Sequence, residues 1–261
     1  MGTTVLYERK GVIGYIILNR PHVLNAMNDE WLHDLLAAAE QARADPETRV
    51  IVVRGEGRAF CAGADLREST TRREVAEYRE RHMRPQQDIA RVFRRMGKPV
   101  IAQVHGYAVG GGCELALLAD LRIAAEGTHF GFPEVRVGAT VTLGGVFNLT
   151  RIVGLGKALE LLYTTDFIDA REAERIGLVN RVVLPDQLES AVLELATKIA
   201  GHYPLELALT RESVYRALDT DFESALGEEE GASVISYAAG TRAQGMTAAL
   251  EQIQQRKRRT P

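Results

Sequence analysis

A run of three glycines and two glutamates beyond it have the residue types and spacing for acid–base chemistry. The glycines, residues 110–112, lie between an apolar run typical of a strand (100–105) and a run typical of a helix (114–119). Glycines at a helix start leave backbone N–H groups uncovered, and the positive helix N-terminus suits an oxygen that becomes negative during a reaction. Glu114 lies just beyond the glycines, and Glu134 follows a proline in the next segment. The pattern predicts an oxyanion-binding turn with two carboxylates nearby.

Alternating strand and helix patterns surround these residues. Strands are predicted at 12–18, 50–53, 99–105, 121–124 and 177–183, and helices at 28–44, 71–96, 114–119, 144–163, 169–176 and 186–200. From residue 204 onward the pattern is only helical, with breaks near Asp219 and Gly240. The alternation favours an α/β fold, with a core at residues 1–200 and a C-terminal all-helical subdomain at residues 201–261.

The composition is that of an ordinary globular protein. The chain has 261 residues, 46% hydrophobic and 26% charged, with a formal net charge of -3. This balance favours neither a nucleic-acid partner nor an anionic membrane surface, and no apolar run approaches the ~18 residues that a membrane span needs. Cys61 and Cys113 form no CxxC pair and no disulfide framework. We therefore expect a cytoplasmic protein with no nucleic-acid or membrane partner.

Familiar cofactor and metal motifs are absent from the sequence. The glycine run lacks the last glycine or alanine of a dinucleotide-binding fingerprint, because Leu115 occupies that position. No serine lies in a G-x-S-x-G elbow, and no Cys/His spacing suits zinc. We expect neither a cofactor nor a metal, so the chemistry must come from backbone donors and carboxylates.

Several long motifs in the right order resemble the enoyl-CoA hydratase/isomerase (crotonase) superfamily. They lie at residues 18–26, 59–66, 106–120, 130–134 and 170–180, and so extend through nearly the whole chain. The resemblance implies a spiral of repeated ββα units followed by a C-terminal helical trimerisation region. It also implies a homotrimer or a homohexamer built as a dimer of trimers.

The same resemblance implies a reaction and a set of catalytic residues. The backbone N–H groups of Ala62 and Gly111 would bind the thioester oxygen while it carries enolate charge. Glu114 would activate water for attack at Cβ, and Glu134 would deliver a proton to Cα. Together they imply syn hydration of a trans-2-enoyl-CoA to the 3-hydroxyacyl-CoA, with CoA as part of the substrate.

Residues for binding CoA follow from the resemblance as well. They are Arg20, Ala64, Asp65, Leu66 and Arg67, in the loops that approach CoA in relatives. A solvated surface arginine is an equally good reading of Arg20 and Arg67, and the Asp65 side chain is also predicted to pair with backbone N–H groups. The basic end, residues 256–259, leaves the same two readings open.

One segment departs from the hydratase pattern. After Glu134, hydratases commonly have a Pro-Gly step and then Gly-Gly-Thr-Gln-Arg, whereas this chain has Val141-Thr142 and then 144–148 as Gly-Gly-Val-Phe-Asn. Threonine is strained at a positive φ that glycine adopts, so a different loop path is expected. The departure keeps a Δ3,Δ2-enoyl-CoA isomerase, or another acyl-CoA reaction of the superfamily, open as an alternative to a hydratase. A non-catalytic acyl-CoA-binding subunit is a separate alternative.

Overall fold

The computed structural model describes residues 3–69 and 73–259. The chain divides into two compact units, Met1–Ala200 and Gly201–Pro261. In the described residues the strands are β1 (Val5–Lys10), β2 (Ile13–Leu18), β3 (Val50–Gly55), β4 (Val100–Val104), β5 (Tyr107–Val109), β6 (Leu121–Ala125), β7 (His129–Gly131), β8 (Ile168–Asp169) and β9 (Arg181–Val183).

The helices of the first unit fall between these strands. They are α1 (Asp29–Ala44), α2 (Leu66–Ser69), α3 (Val75–Tyr78), α4 (Arg84–Arg94), α5 (Gly111–Leu118), α6 (Gly145–Val153), α7 (Leu155–Thr164), α8 (Ala170–Arg175) and α9 (Leu188–Ala200). The predicted start of α1 is confirmed, because Asn28 caps this helix: its side chain accepts the N–H of Trp31 at 3.0 Å. Asp169 caps α8 in the same way through the N–H of Glu172.

The strands form two sheets, and from β4 to β7 the chain alternates between them. The larger sheet has the order β1-β2-β3-β4-β6-β9 and is parallel except for the β1–β2 pair, and the smaller has the order β5-β7-β8. The chain therefore passes from β4 in one sheet to β5 in the other and then into α5, and the β6–β7 pair repeats the step. This repeated ββα arrangement places the start of α5 at the edge of the smaller sheet.

The two faces of the larger sheet pack against different helices. Alternate strand residues such as Val52 and Ile101 pack with Leu188 and Val192 of α9, whereas Val53 and its neighbours on the other face join a core that includes α1, α4 and α5. The alternation follows from the period of two in a strand, and both faces are covered as expected of parallel strands. The predicted α/β class is confirmed.

Two predicted helices are wrong in extent. The helix expected at 71–96 is helical only from Val75 to Arg94, as α3, a π-helical turn at Arg79–Met83 and α4. Pro85, near the start of α4, has no N–H and its ring crowds the preceding turn, which accounts for the wider turn before it. Residues 71 and 72 lie outside the described part of the chain.

The helix expected at 144–163 is instead two helices, α6 and α7. They are separated at Gly154, which has a φ of 80°. Four strands were not predicted, because β5, β7 and β8 are only two or three residues long and much of β1 is polar.

The second unit consists of helices in its described residues, as predicted. They are α10 (Pro204–Ala217), α11 (Phe222–Ala239) and α12 (Thr241–Arg259). The breaks predicted near Asp219 and Gly240 are confirmed: Asp221 caps α11, and Gly240 ends it with a φ of 75°. Within residues 3–69 and 73–259, no helix has the length and apolarity needed to span a bilayer.

Candidate active site

The side chain of Asn25 holds the first of two loops that form the site. Its Nδ2 donates to the carbonyl oxygens of Glu56, Ala59 and Phe60 at 2.9, 2.9 and 3.1 Å. Asn25 is fully buried and has a φ of 58°, a left-handed conformation that asparagine adopts more readily than most residues. These bonds satisfy buried carbonyl groups and set the direction in which residues 59–66 leave the turn after β3.

The second loop, at the start of α5, approaches the first so closely that only glycine fits. A Cβ at Gly63 would lie 2.6 Å from the carbonyl oxygen of Val109 and 3.5 Å from the nitrogen of Gly111. A Cβ at Gly111 would lie 2.8 Å from the Sδ of Met27. The glycines therefore do more than uncover N–H groups at a helix start, because they also let two backbone segments lie side by side.

The prediction of Ala62 as an oxyanion donor is corrected by its hydrogen bonding. The N–H of Ala62 donates to the carbonyl oxygen of Leu24 at 3.0 Å. This bond ties residues 59–66 to the turn that follows β2. A hydrogen already held by a backbone carbonyl is not available to a ligand, so Ala62 has a structural role in this arrangement.

The N–H of Ala64 is available instead. Met27 bonds to the residues on either side of it: its N–H donates to the Gly63 carbonyl and its carbonyl accepts the N–H of Asp65, both at 2.8 Å. Such a bridge turns the N–H of the middle residue away from Met27. The N–H groups of Ala64 and Gly111 have no hydrogen-bond acceptor within residues 3–69 and 73–259. These are two open donors on adjoining loops.

Glu114 lies in the first turn of α5 and is only 1% exposed. Its Oε2 accepts the N–H of Thr142 at 2.9 Å and that of Gly145 at 3.3 Å. Burial and the charge of Glu134 raise the pKa of Glu114 to about 7, and the backbone donors limit the rise. A carboxyl group that titrates near neutrality can serve as a general base.

Glu134 follows β7 and Pro133, where the short 3-10 turn Val135–Val137 begins. Its Oε2 is buried and has no hydrogen-bond partner among the described residues. Its Oε1 faces Gly110, where a Cβ would lie 3.0 Å away. Burial raises the pKa of Glu134, which favours the protonated form of the carboxyl group.

Residues 138–145, here named the 138–145 loop, still reach Glu114 despite their departure from the hydratase pattern. Thr142 does not have the positive φ that glycine would permit; within the described residues of this loop, positive φ values belong to Gly138 and Gly144. The hydroxyl of Thr142 donates to the Oε1 of Gln86 on α4, and Gln86 is 6% exposed. Sequence reasoning missed this contact, because Gln86 lies in a helical segment rich in arginine and glutamate, where a buried side chain is hard to recognise.

Comparison with known proteins identifies the family. The family model for enoyl-CoA hydratase/isomerase matches residues 8–257. The chain belongs to the enoyl-CoA hydratase/isomerase family. A crotonyl-CoA hydratase of Syntrophomonas wolfei is 38% identical over 250 residues, which cover 95% of each chain.

Solved structures of this family are similar in fold. An enoyl-CoA hydratase from Bacillus anthracis has a TM-score of 0.90 and 32% identity, covering 95% of this chain and 96% of that one. A Thermobifida fusca protein solved in complex with CoA has a TM-score of 0.85 and 27% identity, covering 92% of this chain and 95% of that one.

Arg20, predicted to bind CoA in this family member, makes an internal contact. Its Nη1 donates to the Oδ2 of Asp65 at 3.1 Å and to the carbonyl oxygen of Ala26 at 2.5 Å. The Arg20 and Asp65 side chains are only 13% and 12% exposed. Asp65 also accepts the N–H of Arg67 at 3.3 Å, so its predicted structural pairing is confirmed. The remaining predicted CoA-binding residues are exposed: Ala64, Leu66 and Arg67.

The thiols and one further carboxylate near the site have structural environments. Cys61 and Cys113 are buried, and burial raises the pKa of Cys61 to about 12 and raises that of Cys113 as well. Both are therefore thiols rather than reactive thiolates at neutral pH. Asp120 accepts the N–H of Val100 at 2.8 Å and so ties the end of α5 to the start of β4.

Proposed function

We propose that this enzyme is an enoyl-CoA hydratase that adds water syn across the double bond of a trans-2-enoyl-CoA and releases the 3-hydroxyacyl-CoA. The observation that carries the proposal is a pair of glutamates, buried Glu114 and part-buried Glu134, beside two open backbone N–H groups. Relatives named crotonyl-CoA hydratase and enoyl-CoA hydratase support the reaction. The related protein bound to CoA supports an acyl-CoA thioester as the substrate.

The open N–H groups of Ala64 and Gly111 bind the thioester carbonyl oxygen. As water attacks Cβ, negative charge moves to this oxygen and forms an enolate. Fixed backbone donors stabilise that charge more than they stabilise the neutral substrate, and loss of one such donor typically costs ~10²–10³ in rate. The positive end of α5 adds to the effect.

The two glutamates divide the proton transfers. Glu114 accepts a proton from water as the oxygen of that water bonds to Cβ, and Glu134 gives a proton to Cα as the enolate collapses. In the reactive form the proton lies on Glu134, whose Oε2 has no described partner, and the charge lies on Glu114, whose carboxylate accepts two backbone N–H groups. Once Glu134 is protonated it no longer repels charge on Glu114.

No metal or redox cofactor takes part in this mechanism, because a donor pair, a base and an acid supply each step. We also propose that the enzyme is cytoplasmic and that its C-terminal helices join it into a trimer or a dimer of trimers. Exposed apolar side chains on α11 support self-association: Val234, Ile235 and Tyr237.

Turnover of trans-2-enoyl-CoAs of several chain lengths tests the function, followed as loss of the absorbance of the conjugated thioester. We expect a 3-hydroxyacyl-CoA product, with loss of turnover in both Glu114→Gln and Glu134→Gln and normal turnover in Glu40→Gln, which changes an exposed glutamate on α1. Binding without turnover would refute the hydratase assignment. Double-bond migration that survives in Glu114→Gln would identify an isomerase, since that reaction needs only Glu134.

A further inference from the structure

A polar side chain lies on the buried face of α4. Gln86 shares this face with Ile89 and Phe93, which are fully buried, and is itself 6% exposed. A carboxamide on an apolar helix face costs free energy unless it is hydrogen-bonded. The recorded partner is the hydroxyl of Thr142, which donates to the Oε1 of Gln86 from the 138–145 loop.

The same threonine contacts the catalytic carboxylate through its backbone. The N–H of Thr142 donates to the Oε2 of Glu114 at 2.9 Å. Thr142 therefore links Gln86 to Glu114: its hydroxyl bonds to the Gln86 carboxamide, and its backbone N–H bonds to the Glu114 carboxylate. Gln86 lies 56 positions from Thr142, so this bond joins two otherwise separate segments.

We propose that Gln86 and Thr142 are a positioning pair for the hydration reaction, in which Gln86 holds Thr142 so that its N–H stays directed at the Glu114 carboxylate. The inference rests on the proposed function, because positioning a base matters only where that base is used. Gln86 acts through Thr142, and Thr142 acts through its backbone.

The pair has a measurable consequence because an N–H donor stabilises the ionised form of a carboxyl group. Loss of the hydroxyl anchor weakens the Thr142 N–H bond, so the pKa of Glu114 rises further above its ordinary value. The titratable group that acts on Glu114 from a neighbouring element, Glu134, remains in place, as does Cys113 beside Glu114 on α5 itself. The acidic limb of the pH profile of kcat/KM, where the base must ionise, therefore moves to higher pH.

The test compares Thr142→Val, which keeps the shape and removes the hydroxyl, with Thr142→Ser, which keeps the hydroxyl. We expect Thr142→Val to lower kcat/KM about 10-fold and to move the acidic limb up by about 0.5–1 pH unit, with Thr142→Ser within about 2-fold of the parent. Gln86→Met should reproduce the valine result. The double variant should be no worse than either single one, because all three remove the same bond.

Two controls match these changes. Gln87→Met makes the same substitution at the exposed neighbouring position on α4, and Thr150→Val removes a hydroxyl that bonds only to the backbone of its own helix. Both should keep the parent profile. A loss of rate without a shift of the acidic limb, equal losses in the serine and valine variants, or additive losses in the double variant would overturn the positioning role.

A readout independent of turnover separates this inference from the proposed function. The infrared band of the protonated Glu114 carboxyl group, assigned as the band that Glu114→Gln removes, is titrated in the parent and in Thr142→Val. We expect the midpoint to rise in the valine variant even if no enoyl-CoA is hydrated. An unchanged midpoint would overturn the pair whatever reaction the enzyme catalyses, and a parent without hydratase activity would overturn only the function.

Discussion

The two glutamates of the site have different surroundings: Glu114 is buried, whereas Glu134 is part-buried with a buried Oε2. Glu114 is held by the first turn of a helix and accepts N–H groups from Thr142 and Gly145. Glu134 follows a short strand, and its Oε2 has no partner among the described residues. Burial raises the pKa of both, but only the Glu114 carboxylate is compensated by backbone donors from the 138–145 loop.

The difference shows how one site can keep a base and an acid of the same residue type. Hydrogen bonds to an ionised carboxylate favour the charge, whereas burial without donors favours the proton. Because the charge of Glu134 raises the pKa of Glu114, the two carboxyl groups titrate as a coupled pair. The donors decide where the charge lies in the reactive form.

The largest expected effect comes from removing Glu134, whose carboxyl group has no donor from the 138–145 loop. Glu134→Gln should lower hydration by about 10²–10⁴, because the proton source for Cα is lost. Turnover of a trans-2-enoyl-CoA by this variant measures the loss, and an activity within about 10-fold of the parent would contradict the role of Glu134 as the acid.

A smaller loss is expected when the donors around Glu114 are displaced. A Cβ at Gly145 would lie 2.6 Å from both the Oε2 of Glu114 and the Cγ1 of Val141, so Gly145→Ala must move the loop. Overpacking of this kind lowers folding stability, and displacement of an N–H bond to the charged Glu114 carboxylate costs about 1.5–3 kcal/mol, so we expect about a 10- to 100-fold loss of kcat/KM. Gly156→Ala is the matched control, because a Cβ there meets nothing within 4 Å. Equal activity in the two variants would contradict the close packing.

The smallest expected effect is on stability. The pKa of Glu114 is about 7 in the folded chain and about 4.5 in the unfolded chain, so between these values the folded state binds more protons. The contribution of Glu114 to the free energy of unfolding is therefore complete at low pH and is lost as the pH rises through about 7. The Glu114→Gln variant lacks this titrating group. The free energy of unfolding of the variant minus that of the parent should therefore increase by about 2 kcal/mol from pH 5 to pH 8.

Denaturant unfolding of both proteins at the two pH values measures this change, with Glu40→Gln as the control for an exposed glutamate. A difference between variant and parent that stays constant with pH would mean that Glu114 does not titrate in this range. Glu40→Gln should leave the pH dependence of the parent unchanged.

Much of the fold follows from local sequence patterns. The period of apolar residues predicts α1 and the central strands, and the caps at Asn28 and Asp169 are visible as single residues. Pro85 and Gly154 changed the extent of two predicted helices, since each acts on the backbone of a single turn. The shortest strands escape prediction because two or three residues carry no clear periodicity.

The sequence by itself determined the family, the glycine turn and the two glutamates, because these depend on residue types in a fixed order along the chain. Only the tertiary structure decided which N–H groups are open. The carbonyl oxygen of Leu24 accepts the N–H of Ala62, whereas the N–H of Ala64 has no acceptor among the described residues. It also decided that Thr142 joins Gln86 to Glu114. Hydrogen bonds between distant segments depend on the direction of each backbone group in the folded chain, and that direction is set by packing rather than by neighbouring residues.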